Sequence, residues 1–143
     1  MFGGLDVSVS GMVAQRQRLE TIASNLANRS ATRDADGNPN PYRRKFVVFQ
    51  EGDPSAGSRA GRDRGVHVSS VEIDMSDFKK RYDPGHPDAR PDGEEDAGYV
   101  YMPNVNSVIE QIDALDAQRA YEANVAAADA SKALVSSALR LLA

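Results

Sequence analysis

Leu5, Val9, Met12, Arg16, Leu19, Ala23 and Leu26 recur at alternating spacings of four and three, a heptad stripe interrupted only by Arg16. The spacing predicts a helix from Leu5 to Asn28, which would span roughly 36 Å at 1.5 Å per residue. That is several turns longer than a small core requires, so packing along an axis is expected. A second long helix is predicted from about Asn104 to Ala143. Ser107 and Glu110 fit an S-x-x-E capping box at its start, with Asn104 and Asn106 as rival caps. Val105, Val108, Ile109, Ile112 and Leu115 form its first stripe. Further along, Tyr121, Val125, Ala128, Lys132, Val135, Leu139 and Leu142 follow one four-three seam, and Ala123, Ala127, Ala130, Leu134, Ala138 and Leu141 follow another beside it. Two adjoining seams predict burial on more than one side.

Between these helices the texture changes. From Arg29 to Pro103 lie all 7 prolines of the chain, which breaks any long helix. Lys45 to Gln50 (KFVVFQ), Gly65 to Ile73 (GVHVSSVEI) and Gly98 to Met102 (GYVYM) read as short strands, enough for one small sheet. Gly52 to Gly65 reads as a mobile loop. The expected fold is therefore mainly α: long N- and C-terminal helices pairing as an antiparallel coiled coil, with a small β-rich, irregular middle. The corresponding segments are 1–33, 34–103 and 104–143.

With Leu5, Met12, Leu19 and Leu26 turned inward, the predicted outer face of the first helix carries Val7, Ser10, Gly11, Ala14, Gln17, Arg18, Thr21, Ser24, Asn25 and Asn28. Only Arg18 is charged, whereas a two-stranded coiled coil in water normally exposes Glu, Lys and Arg. A small, neutral outer face predicts close approach by neighbouring protein. Asn25 and Asn28 are poor helix formers, and as outward groups they would offer donors and acceptors to an adjacent subunit. The terminal helices are expected to be loose in the monomer and to order on assembly.

Composition narrows the chemistry. With 41% hydrophobic and 27% charged residues the 143-residue chain is globular, and its formal charge of −4 gives no reason to expect nucleic acid or an anionic membrane surface as partner. Zero cysteines exclude a disulfide framework and a thiol nucleophile. No run approaches the length of a membrane-spanning helix, so no direct membrane insertion is expected. The start, MFGGLDVSVSGM, has neither the basic nor the apolar region of a cleavable signal peptide. His86, Asp88, Asp92, Glu94, Glu95 and Asp96 concentrate metal-ligating atoms, but without the spacing of a calcium loop or a zinc helix, so neither a metal nor a cofactor is assigned. His67 sits at an alternating strand position and reads as exposed rather than as a base. No catalytic residue is assigned, and an enzyme is not expected.

Ser10 to Asn28, SGMVAQRQRLETIASNLAN, resembles the N-terminal signature of the axial proteins of the bacterial flagellum, the rod and hook subunits. PYRRKFVVFQ, YDPGHPDA leading into GYVYMPNVN, and RAYEANVAAADASKALVSSALRLL are similar, in order and spacing, to the proximal-rod members of that family. The resemblance implies a structural subunit whose terminal helices pack in the inner tube of the rod, forming part of a drive shaft and of the wall of an export channel. It implies assembly with copies of itself, other rod subunits and the adaptor at the rod base, a place in the periplasm-spanning rod, and secretion by the flagellar type III export apparatus. The residues it points to for subunit packing are Leu5, Val9, Met12, Leu19, Ile22, Ala23, Ser24, Asn25, Leu26 and Asn28 on the first helix. On the second they are Ile109, Ile112, Leu115, Tyr121, Val125, Leu134, Val135 and Leu139. In the middle segment the matching motif comprises Tyr82, Pro84, Gly85, Pro87, Met102, Pro103 and Asn104. The competing expectation is a soluble or secreted helical adaptor that uses the same helices for a single partner.

Overall fold

The computed structural model describes residues 3–93 and 95–142, without the side chains of Ala60 and Leu142. Two helices dominate it, α1 (Gly3–Ala27) and α3 (Ser107–Leu142), packed side by side in opposite directions. Between them run β1 (Lys45–Glu51), a short α2 (Arg59–Arg64), β2 (Val66–Ile73), β3 (Lys79–Tyr82) and β4 (Tyr99–Met102).

The predicted single sheet is instead two separate antiparallel ribbons, β1 with β2 and β3 with β4. In the first, Val47 lies opposite Val71 and Phe49 opposite Val68, with a register shift between Val48 and Phe49. One extra residue on β2 at that point bends the ribbon over α1. In the second, Lys79 pairs with Met102 and Tyr82 with Tyr99. The sequence KKRY carries no apolar alternation, so β3 was not expected; it forms because β4 supplies its ladder. Tyr82 and Tyr99 meet edge to face at 5.2 Å.

Gly52 to Gly65 is a docked element rather than a loose loop. Ser58 caps α2 by accepting from the Gly61 N–H, and the Ser58 N–H donates to Asp6 of α1 at 3.1 Å. Ser10 accepts the Val66 N–H at 3.1 Å, tying the start of β2 to the same helix. Gly52 has φ +81, and a Cβ there would lie 2.7 Å from the Arg62 carbonyl oxygen, so only glycine fits. His67, expected to be exposed, is half-buried, with Nδ1 2.5 Å from the Gly52 carbonyl oxygen.

The start of α3 also differs from the expected capping box. Asn106 is the cap: its Oδ1 accepts the Val108 N–H and its carbonyl accepts the Glu110 N–H. Glu110 is thereby released for another partner. Among the described residues no helix is long and apolar enough to cross a membrane.

Candidate functional site

The two long helices meet along a seam that the apolar periodicity does not mark. Gly4 faces Ser131, Gly11 faces Asn124, Arg18 bonds Asp113 and Asn25 bonds Glu110. On α1 this seam runs through positions 4, 8, 11, 15, 18, 22 and 25, one residue behind the predicted stripe 5, 9, 12, 16, 19, 23 and 26. One residue is 100° of helix rotation. The face expected to look outward is therefore the inner one: Ser10, Gly11, Ala14 and Asn25 are buried.

Small residues make this geometry work. A Cβ on Gly11 would sit 2.8 Å from the Asn124 amide, and Ala117 and Ala128 are buried on the facing helix. Backbones approach where no side chain holds them apart.

At the end of the seam where α1 closes and α3 opens, polar groups form a connected network. Asn25 and Glu110 are both 0% exposed. The Asn25 Nδ2 donates to the Lys45 carbonyl at 2.7 Å and to Glu110 Oε2 at 2.9 Å, while its Oδ1 accepts from the Lys45 N–H at 2.9 Å and the Tyr42 hydroxyl at 3.1 Å. All four capacities of the amide are used. Glu110 Oε1 takes the Arg44 Nε–H at 2.6 Å, and Asp113 bridges Arg44 and Arg18 at 3.3 and 3.2 Å. Glu110 also lies in the first turn of α3, where the helix dipole favours a negative charge. Asn25 thus joins α1, β1 and α3 within one chain. Ile22 is buried beside it, Ser24 shares a hydrogen bond with the Tyr42 hydroxyl, and the Asn28 amide donates back to the Ser24 carbonyl.

Asn104 holds the middle segment to the same region. Its Oδ1 accepts the Arg44 N–H, and its Nδ2 donates to the Asp74 carbonyl and to Ser76. Pro103 is fully buried before it, and Met102 lies at the end of β4. Tyr82, Pro84, Gly85 and Pro87 frame a turn in which the His86 N–H donates to the Asp83 carbonyl. Gly98 closes over that turn with φ +76, its Cα too near the Tyr82 ring to carry a side chain.

The acidic cluster does not converge. Asp88 is taken by Arg33 at 2.6 Å and by Thr32, and these bonds hold its carboxyl below the usual carboxylate range. Asp96 accepts from Lys80 and from the Tyr101 hydroxyl, both at 2.6 Å, and is lowered for the same reason. Those bonds secure a left-handed backbone at Asp96, φ 67. Glu94 lies outside the described residues. Among those described, no three His, Asp or Glu side chains are placed to hold a metal ion.

With the polar seam inside, the apolar stripes lie outside. Leu5, Met12, Leu19 and Leu26 are half-buried, and Val9 and Ala23 are exposed. On α3, Ile109, Ile112, Leu115, Tyr121, Leu134 and Leu139 are exposed, and Val125 and Val135 half-buried. Val9, Met12, Val13, Arg16 and Tyr121 line a groove between the two helices. Exposed apolar residues grouped in this way are characteristic of interaction surfaces.

Residues 5–33 match the family model described as flagella basal body rod protein, and residues 96–141 match flagellar basal body rod FlgEFG protein C-terminal. The flagellar basal-body rod protein FlgC of Borreliella burgdorferi is 39% identical over 99% of this chain and 97% of its own length. FlgC of Bacillus subtilis is 39% identical over 98% and 97%, and that of Salmonella typhimurium 39% over 95% and 93%. An outward apolar surface on two long helices and likeness along the whole chain agree: the chain belongs to the FlgC family and is a structural rod subunit of the flagellar basal body.

Proposed function

We propose that the chain builds the proximal part of the rod by polymerising through its terminal helices, which pair within the subunit as a short antiparallel coiled coil. The observation that carries this reading is the inversion of the helix pair. Asn25 and Glu110 satisfy each other inside the subunit, and the stripes through Leu5, Met12, Leu19 and Leu26 and through Ile109, Ile112 and Leu115 are left for neighbours. Stacked around an axis, such pairs form a tube whose wall carries torque by packing rather than chemistry, and whose lumen serves as the export channel. The β ribbons turn outward against other rod subunits, and the base of the tube meets the rod-base adaptor. The chain reaches its place through the flagellar type III export apparatus, and its terminal helices become fully ordered on assembly.

Electron microscopy of basal bodies from a strain lacking the chain, beside the complemented strain, tests this reading. Rings without a rod, restored on complementation, are expected. Complete rods and hooks in the deletion strain would overturn it in favour of an accessory adaptor.

A further inference from the structure

Aspartate is followed by glycine twice in the chain, at Asp36–Gly37 and at Asp92–Gly93, and both pairs lie exposed in the middle segment. Such a pair has a chemistry of its own. Glycine has no Cβ, so its amide nitrogen can swing onto the carboxyl carbon of the aspartate before it, a closure that a larger following residue obstructs. The fold places the two pairs in different surroundings.

Asp36–Gly37 is locked. The Gly37 N–H donates to the Asp34 carbonyl at 3.0 Å, and Asp34 Oδ1 accepts the N–H groups of Asp36 at 3.1 Å and Asn38 at 2.9 Å. The Asp34 N–H returns to the Asn38 carbonyl at 3.0 Å, and Arg33 and Pro39 close the turn as a β-bridge. Attack by the Gly37 nitrogen would first have to break its hydrogen bond and turn the peptide plane between these restraints.

Asp92–Gly93 carries no such restraint. Among the described residues, neither the Asp92 carboxylate nor the Gly93 N–H has a hydrogen-bond or ion-pair partner. Gly93 has φ +99, and a Cβ there would meet nothing within 4 Å. The hydrogen bonds that hold this loop are at its base, where the Gly98 N–H donates to the Arg90 carbonyl at 3.0 Å and the Arg90 N–H to the Tyr99 carbonyl at 3.1 Å. The Asp92–Gly93 peptide can therefore turn without disturbing the β3–β4 ribbon.

We propose that Asp92 is a site of spontaneous isoaspartate formation in the folded protein, and that its sequence twin Asp36 is protected. The Gly93 nitrogen attacks Asp92 Cγ, and the new C–N bond forms as the amide proton and the carboxyl hydroxyl depart together as water. Water then adds to either carbonyl of the resulting cyclic imide. Opening one C–N bond restores aspartate. Opening the other leaves the main chain running through the former side chain, longer by a methylene, with the α-carboxylate free. The overall composition is unchanged, and water is the sole co-reactant.

The test uses the purified full-length chain, incubated at growth temperature and slightly acidic pH, both in buffer and in concentrated urea. Digestion with an endoproteinase that cuts before aspartate but not before isoaspartate, followed by liquid chromatography and mass spectrometry, reads both positions in one sample. In the folded chain isoaspartate should accumulate severalfold faster at Asp92 than at Asp36, and in urea the two rates should converge. Gly93→Ala should slow the reaction at Asp92 severalfold and leave the Asp36 rate unchanged. Equal rates in the folded chain, or no isoaspartate at Asp92, would overturn the proposal. A preference for Asp92 that persists undiminished in urea would overturn it too, by assigning the difference to neighbouring sequence instead of to the fold.

Discussion

Asn25 donates to Glu110 at 2.9 Å across 85 residues of sequence, and both side chains are fully buried. This bond couples the end of the first helix to the start of the last. Truncation of either partner leaves buried groups unpaired: Asn25→Ala strands the Lys45 N–H and carbonyl, and Glu110→Ala removes the acceptor of the Arg44 Nε–H and of the buried Asn25 amide, leaving Arg44 with Asp113. Each should destabilise the subunit by about 3 kcal/mol, read from chemical denaturation. Asn25→Asp keeps the volume but places a second carboxylate beside Glu110, so it should cost at least as much as the alanine.

Gly11→Ala separates helix propensity from packing. An exposed helical site would gain roughly 1 kcal/mol from this change. Here the new methyl meets Asn124, whose Nδ2 is held by the Ala120 carbonyl at 2.9 Å, so a net loss is expected. Adding Asn124→Ala should recover it, and a double-mutant cycle by thermal unfolding measures the coupling.

Gln15 lies on the inner seam with its Oε1 buried and unpartnered. Gln15→Met retains length and removes the stranded acceptor. A gain of about 1 kcal/mol is expected, seen as a rise of several degrees in Tm. An unchanged or lower Tm would mean that this oxygen is already satisfied.

Asp88 ties the segment after α1 to the turn around His86. Its folded pKa is depressed, first by the hydrogen bond from Arg33 and then by that from Thr32. The stability it contributes is therefore complete above its unfolded value, about 3.9, and is lost as pH falls through the lower folded value. The stability difference between the native chain and Asp88→Asn should be constant above about pH 5 and shrink below about pH 4. A difference independent of pH would show that the carboxylate charge is immaterial.

Leu19→Asp and Leu26→Asp probe the outer stripe. Both side chains are only half-buried, so the isolated subunit should retain its helical circular dichroism while swimming is abolished. Loss of helicity together with motility would place these leucines in the subunit's own core.

Periodicity and turn chemistry by themselves determined that two long helices flank a proline-rich, partly stranded middle, and the ordered motifs from Ser10 to Asn28 and from Tyr82 to Asn106 pointed to the flagellar axial family. Local rules suffice for that, because a four-three apolar repeat and a proline act on the few residues around them. Tertiary structure decided which way α1 faces. Burial of apolar surface normally dominates and predicts the apolar stripe to face inward, yet Gly4, Gly11, Ala117 and Ala128 let the backbones close on one another. Residues 85 positions apart then satisfied one another's polar groups. Tertiary structure also decided β3, which exists only through its ladder to β4, and α2, which is docked by Asp6. In each case the partner that stabilises a segment lies far away in sequence, so no local pattern announces it. The outward stripes are legible in the sequence as apolar residues, but only the folded pair shows that they lie outside the seam between the helices.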